Sequence, residues 1–151
     1  MNRVSLIILY DSDRKYLLQH RTKDALRIPD YWGFFGGGIK KGESIIDTVF
    51  REAQEEIGYQ LREPILVYEQ PFVLSNKEQS ITQSKDKGYM YVFVEKLFGK
   101  KDNIKLNEGQ SFGWFTLSET KSLKIMKHDR FVLEKVEEYL LNKNLSSGMD
   151  L

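Results

Sequence analysis

Gly36-Gly37-Gly38-Ile39-Lys40-Lys41-Gly42-Glu43, running into Arg51-Glu52-Ala53-Gln54-Glu55-Glu56-Ile57-Gly58, is the stretch on which the rest of the chain turns. Ser44 predicts a helix start, Asp47 three residues on makes a near capping box, and Gly58 is placed to end the helix in a left-handed conformation. On that helix Ile46, Val49, Phe50, Ala53 and Ile57 form an apolar stripe that needs a core. Glu52, Glu55 and Glu56 fall on a separate flank, within about 100° of arc. Carboxylates so crowded repel, and one is expected to hold a proton unless a cation sits among them. An oxygen-rich cluster suits Mg²⁺ or Mn²⁺. Ahead of it, glycines let backbone approach a ligand closely and turn amides toward an anion. A glycine-rich loop feeding a metal-bearing glutamate helix is a plausible machine for cutting a phosphoanhydride.

These residues resemble a known family. Gly37, Glu43, Arg51, Glu52, Glu55, Glu56 and Gly58 stand as in the Nudix box, Gly-x5-Glu-x7-Arg-Glu-U-x-Glu-Glu-x-Gly-U, where U is usually aliphatic. Tyr59 departs from the pattern at a U position, and Phe35 stands where many members carry proline. Neither touches the carboxylates.

Outside the box, 151 residues at 40% hydrophobic make room for one domain with a real core. The net charge of +1, from 23 basic and 22 acidic residues, gives no global field toward nucleic acid polymers or membranes. The absence of cysteine excludes disulfides, thiolate zinc sites and a cysteine nucleophile, and fits a cytoplasmic setting. The apolar run within the first ten residues is too short for a signal peptide, and no segment is long enough to span a bilayer.

Val4 to Tyr10 reads as a buried strand, Asp11 to Arg14 as a turn and Lys15 to Arg21 as the returning strand. Thr22 to Tyr31 reads as a surface loop leading to Trp32-Gly33-Phe34-Phe35. Later strands are expected at Ile65–Leu74, with Pro71 marking a bulge or an edge, at Tyr89–Phe98 and at Ser111–Leu117. The polar stretch Ser75–Lys87 is long for a compact domain, and Ser118-Glu119-Thr120 opens a brief helical turn. A last helix is expected from about His128 to Leu141, with Phe131, Val132, Val136, Tyr139 and Leu140 inward.

The resemblance implies a single Nudix domain over residues 1–142, an α/β/α sandwich around a mixed β-sheet, with 143–151 a flexible tail. It implies Mg²⁺-dependent attack of water on a pyrophosphate bond, with Mn²⁺ an alternative metal. Glu52, Glu55 and Glu56 become the expected metal ligands, and Glu108, in Asn107-Glu108-Gly109-Gln110 ahead of Trp114, a fourth. Glu52 or Glu55 is the expected general base; Arg51 would pair with a site carboxylate, and Glu43 would brace the junction. Gly37, Gly38 and Arg21 are expected at the substrate, while Lys40 and Lys41 read as solvated lysines. The expected substrate is a nucleoside triphosphate, oxidised ones included, cut to a monophosphate and pyrophosphate. Pro29-Asp30-Tyr31-Trp32 resembles the approach to the glycines in GDP-mannose hydrolases, which keeps a nucleoside diphosphate-sugar as the alternative. A silent nucleotide-binding module is the competing class, and a homodimer is compatible with either.

Overall fold

The computed structural model describes residues 2–21, 30–73, 87–106 and 111–147. Strand β1 (Asn2–Tyr10) turns into β2 (Tyr16–His20), followed by the short β3 (Trp32–Gly33) and β4 (Phe35–Gly38). Helix α1 (Ile45–Ile57) leads to β5 (Ile65–Val73), β6 (Lys87–Lys96), β7 (Ser111–Phe115) and helix α2 (Lys127–Ser147). The strands form one seven-stranded sheet with the backbone order β3-β2-β1-β6-β5, β4 pairing on β1 and β7 on β2. The sheet is mixed: β1 runs parallel to β6 and antiparallel to β2 and β4.

Alternation along the central strands explains the layers. Ile8 of β1, Tyr16 and Leu18 of β2, and Met90, Val92 and Val94 of β6 face α2, where they meet Val132, Leu133, Val136 and Leu140. Ile7, Leu9, Leu17 and Phe93 take the other face and pack on Val49, Ala53 and Ile57 of α1. Side chains of period two, each face buried by one helix, produce the expected α/β/α sandwich.

Several expectations shift. The glycines do not form an open loop, because Gly36 to Gly38 belong to β4 and pair with Leu6, Ser5 and Val4. Gly36 has φ +136, and a Cβ there would strike the Ser5 carbonyl, so glycine alone allows this pairing. Ile46 is exposed rather than inward, and Ile45 packs in its place, so the buried stripe is turned slightly around the helix. Phe131 is likewise exposed, with Leu133 buried instead; its ring rests edge-on against Tyr68 of β5. Pro71 lies on the edge strand β5, but the bulge sits between Leu66 and Tyr68. Residues 143–147, expected in the tail, continue α2. Most of the stretch Ser75–Lys87 and of the loop Thr22–Tyr31 lies outside the described residues. Among the described residues no helix is long and apolar enough to cross a membrane.

The β1–β2 turn is held by Asp11. Its Oδ1 accepts the backbone N–H groups of Asp13 and Lys15 at 3.0 and 2.8 Å, and Lys101 Nζ lies 2.6 Å from Oδ2. Burial pushes this carboxyl up, but Lys101 and the two amides outweigh it and leave Asp11 below the usual range. A depressed carboxyl stabilises the fold above its unfolded pKa, and that contribution is lost as pH falls through the folded value. Asp11→Asn should therefore cost about 1 kcal/mol at neutral pH, kept small by the exposure of Lys101. In urea unfolding the difference from wild type should shrink below about pH 4.

Candidate active site

Helix α1 begins with a complete capping box. Ser44 Oγ accepts the Asp47 N–H at 3.0 Å, and Asp47 Oδ2 accepts the Ser44 N–H at 3.3 Å. It ends at Gly58, φ 60, in the left-handed conformation. Between these stops the helix is locked in rotation by its apolar face, and this aims the glutamate flank at β4.

Arg51 holds the flank together. Its Nε and one terminal nitrogen grip Glu43 at 2.6 and 3.0 Å, a bidentate pairing. The other terminal nitrogen reaches Glu52 Oε1 at 2.8 Å and Glu55 Oε2 at 3.4 Å. A further bond to the Gly38 carbonyl, 3.1 Å, ties the helix to the end of β4. Glu43 in turn accepts the Lys40 N–H and the Thr48 hydroxyl, both at 3.0 Å. Arg51 foremost, then the Lys40 amide, holds the Glu43 carboxyl down at about 2, so it is a fixed anion. Thr48 escaped the sequence reading; the signal was a polar residue five positions beyond Glu43, beside the apolar stripe.

Glu52 and Glu56 occupy the inner side. The Glu52 carboxylate lies where a Cβ at Gly37 would stand, which explains that glycine by close approach. Glu56 Oε1 accepts the Gly36 N–H at 3.0 Å, so this glycine amide serves a protein carboxylate. Burial first, and then the adjoining Glu52 carboxylate, push Glu56 up to about 7, while Gly36 and Arg21 pull the other way. Arg21, at the end of β2, is thereby placed within electrostatic reach of Glu56.

The expected trio is not drawn into one nest. Glu55 turns outward, its side chain 56% exposed against 14% for Glu52, because its position on the helix lies further from the sheet. Among the described residues no three Asp, Glu, His or Cys side chains converge as a ready-made metal cluster. Glu108 lies outside the described residues. What the structure does supply is a carboxyl pair, the Arg51-paired Glu52 with the desolvated Glu56, and Glu55 beside them. All three offer hard oxygen donors, and two crowded carboxyls accept a cation more readily than two charges. The donor set fits a divalent ion of the Mg²⁺ or Mn²⁺ type.

His20 and His128 are elsewhere. His20 is 3.2 Å from Asp30 and stacks on Trp32 with centroids 4.5 Å apart; His128 lies beside Asp129. Trp114 packs partly buried against the α1-side core, with Lys101 Nζ over its ring.

Known proteins are similar to this chain in sequence and in fold. The family model described as the NUDIX domain matches residues 1–136. The chain is 30% identical over 110 residues to the nucleoside triphosphatase NudI of Escherichia coli O139:H28, covering 70% of this chain and 76% of that protein. Among solved structures it resembles the MutT protein of Methanosarcina mazei Go1, with TM-score 0.73, 19% identity and coverage of 91% and 94% of the two chains. It also resembles the NUDIX domain of Shewanella oneidensis NrtR complexed with ADP ribose, with TM-score 0.72, 16% identity and coverage of 91% and 87%. These structural likenesses speak for the fold. Joined to the intact box on α1, the family match over nearly the whole length makes the chain a member of the Nudix hydrolase family, a pyrophosphohydrolase by lineage.

Proposed function

We propose that the protein hydrolyses a nucleoside triphosphate to a monophosphate and pyrophosphate in the presence of Mg²⁺. The observation that carries this reading is the close Glu52–Glu56 carboxyl pair, seated on Gly36 and Gly37 and braced by Arg51 and Glu43. The relative NudI is named a nucleoside triphosphatase, and the fold also resembles the Escherichia coli dihydroneopterin triphosphate pyrophosphohydrolase, TM-score 0.68. Both names point to triphosphate-bearing substrates. Mn²⁺ is the alternative metal.

Glu52, Glu55 and Glu56 would hold the metal, with Glu108 a further ligand. When bound, a divalent ion neutralises phosphoryl charge and makes water more acidic. The chain's own residues do the rest. Arg51 keeps Glu52 oriented, and Glu43, held ionised, keeps Arg51 in place. Gly37 leaves room for the Glu52 carboxylate beside the strand, and Gly38 fixes the strand end through its carbonyl. Arg21 adds a positive charge on the β2 side for phosphate oxygens. Glu55 is favoured over Glu52 as the group that accepts the proton of attacking water, because it is the more exposed of the two. Positioning and charge neutralisation supply most of the acceleration.

The experiment is phosphate and pyrophosphate release across triphosphates, oxidised triphosphates, nucleotide sugars and ADP ribose, with products identified. Triphosphates should be cut in Mg²⁺ and untouched in EDTA. Glu52→Gln and Glu56→Gln should each lower kcat by about 10²- to 10⁴-fold. Cleavage confined to nucleotide sugars would move the reading to that branch. Tight binding of ADP ribose with no cleavage of any substrate would replace it with a binding module.

Arg51→Lys tests the brace separately. Lysine retains the charge but not the planar fork, so it reaches one carboxylate where Arg51 reaches several groups. The variant should fold, keep its KM within a few-fold and lose kcat about tenfold or more, the mark of a misplaced carboxylate. Unchanged kcat would remove Arg51 from the site.

A further inference from the structure

We propose that Ser5 is a positioning residue: its hydroxyl steadies the Glu52 carboxylate from β1 when that carboxylate takes up a divalent cation. The proposal rests on the assignment of Glu52 to the metal site above. Ser5 lies mid-strand in β1 and is 0% exposed, and its Oγ has no hydrogen-bond partner among the described residues. A buried hydroxyl without a partner carries a desolvation cost that alanine, nearly the same size, does not. Size alone therefore does not account for serine at this position.

Alternation along β1 fixes the side on which the hydroxyl stands. Ile7 and Leu9 pack on the α1 side and Ile8 on the α2 side, so Ser5 shares the α1 side. Its register partners are Gly37 on β4 and Tyr91 on β6. Gly37 has no side chain, and the Glu52 carboxylate occupies the place where its Cβ would stand. Directly opposed residues of an antiparallel pair hold their Cβ positions about 5 Å apart. The Ser5 hydroxyl and the Glu52 carboxylate are thus neighbours across one strand pair, with no side chain of Gly37 between them.

Other side chains around Ser5 do not compete for its proton. Ile7 is apolar, Arg3 only donates, and the Tyr91 hydroxyl already accepts from Arg3 at 3.2 Å. Glu52 has capacity to spare. Arg51 occupies Oε1 at 2.8 Å, and a carboxylate offers about four acceptor positions over its two oxygens. With a cation on the carboxylate, a donor on α1 and a second on β1 fix its direction, where one donor leaves it free to turn.

One further buried side-chain atom among the described residues lacks a partner, Gln19 Oε1, and it borders the same segment: Gln19 Nε2 donates to the Phe34 carbonyl at 2.8 Å. The shortfall in hydrogen bonding gathers around the chain that carries the site. Gln19 Oε1 only accepts, so it cannot serve an ionised carboxylate, whereas the Ser5 hydroxyl can donate to one.

The test combines three readouts on the full chain: thermal melting, steady-state triphosphate hydrolysis in Mg²⁺, and Mn²⁺ affinity without nucleotide, followed by electron paramagnetic resonance. Ser5→Ala should melt at the wild-type temperature or above it, because it removes an unpaired buried hydroxyl. It should lose kcat about tenfold with KM within about twofold, and bind Mn²⁺ about threefold more weakly or worse. Ser5→Cys keeps the shape with only a weak donor and should lose kcat and Mn²⁺ affinity likewise, so it carries the test if alanine does not fold. On a Glu52→Gln background, Ser5→Ala should cost little further. Unchanged kcat and Mn²⁺ affinity in both variants would overturn the proposal. So would a loss of kcat that persists undiminished on Glu52→Gln, or a lowered melting temperature as the sole effect. If wild type hydrolyses no triphosphate, the hydrolase reading fails and Mn²⁺ affinity decides alone: weaker binding in Ser5→Ala keeps Ser5 at the site, and equal binding removes it.

Discussion

The structure depends on one guanidinium. Arg51 touches the strand at Gly38, the loop at Glu43 and its own helix at Glu52 and Glu55. An ammonium could serve one or two of these; the planar fork serves them together without choosing. The glycine strand, the connecting loop and the helix therefore move as one body. Clustered anions elsewhere in a protein would scatter or protonate. Here Glu43 is kept ionised by its contact with Arg51, and its charge in turn fixes the direction of the cation.

Against that rigid frame, Glu56 is the exception. It shares the flank with Glu52 but sits deeper, with a backbone amide as its direct donor. The fold keeps one carboxylate paired and its neighbour desolvated, two environments a helical turn apart. Separation of that kind is how one element supplies groups with different chemical tasks. It also explains two glycines by different constraints. Gly37 yields volume to the Glu52 side chain, while Gly36 is needed for its backbone angle and its contact with β1.

Much of this was legible in the chain because local rules and long-range packing agree. Ser44, Asp47 and Gly58 bound α1 by hydrogen bonds that depend on nearby residues alone, and the structure keeps both ends. The pairing of Arg51 with carboxylates followed from the box. What failed was rotation and depth. Ile46 and Ile45 are neighbours with equal claims to the core, and only the shape of the sheet beneath decides between them. Glu55 and Glu56 are likewise adjacent in sequence, yet one is exposed and the other partly buried, a difference of about 100° on the helix wheel. Glycines read as loop proved to be strand, since permissive backbone serves a close-packed ladder as well as a turn.

The topology explains why these features meet at one end of the sheet. β1 pairs with β2 only at Tyr10 and Tyr16, beside the turn. Beyond that point β2 leaves to pair with β3 and β7, and the vacated edge of β1 is taken by β4 from Ile7 to Val4. The short segment from Trp32 to Gly38 must then cross from one partner to the other, with Phe34 sent to the α2 side and Phe35 to the α1 side. A crossing strand cannot carry bulk at the points where it meets neighbours closely, and Gly36 and Gly37 stand at those points. Its two ends consequently lie against different helices, Gly33 near the start of α2 and Gly37 under the glutamates of α1. Sheet divergence, rather than any loop, is what sets the two ends of this short segment against opposite helical layers.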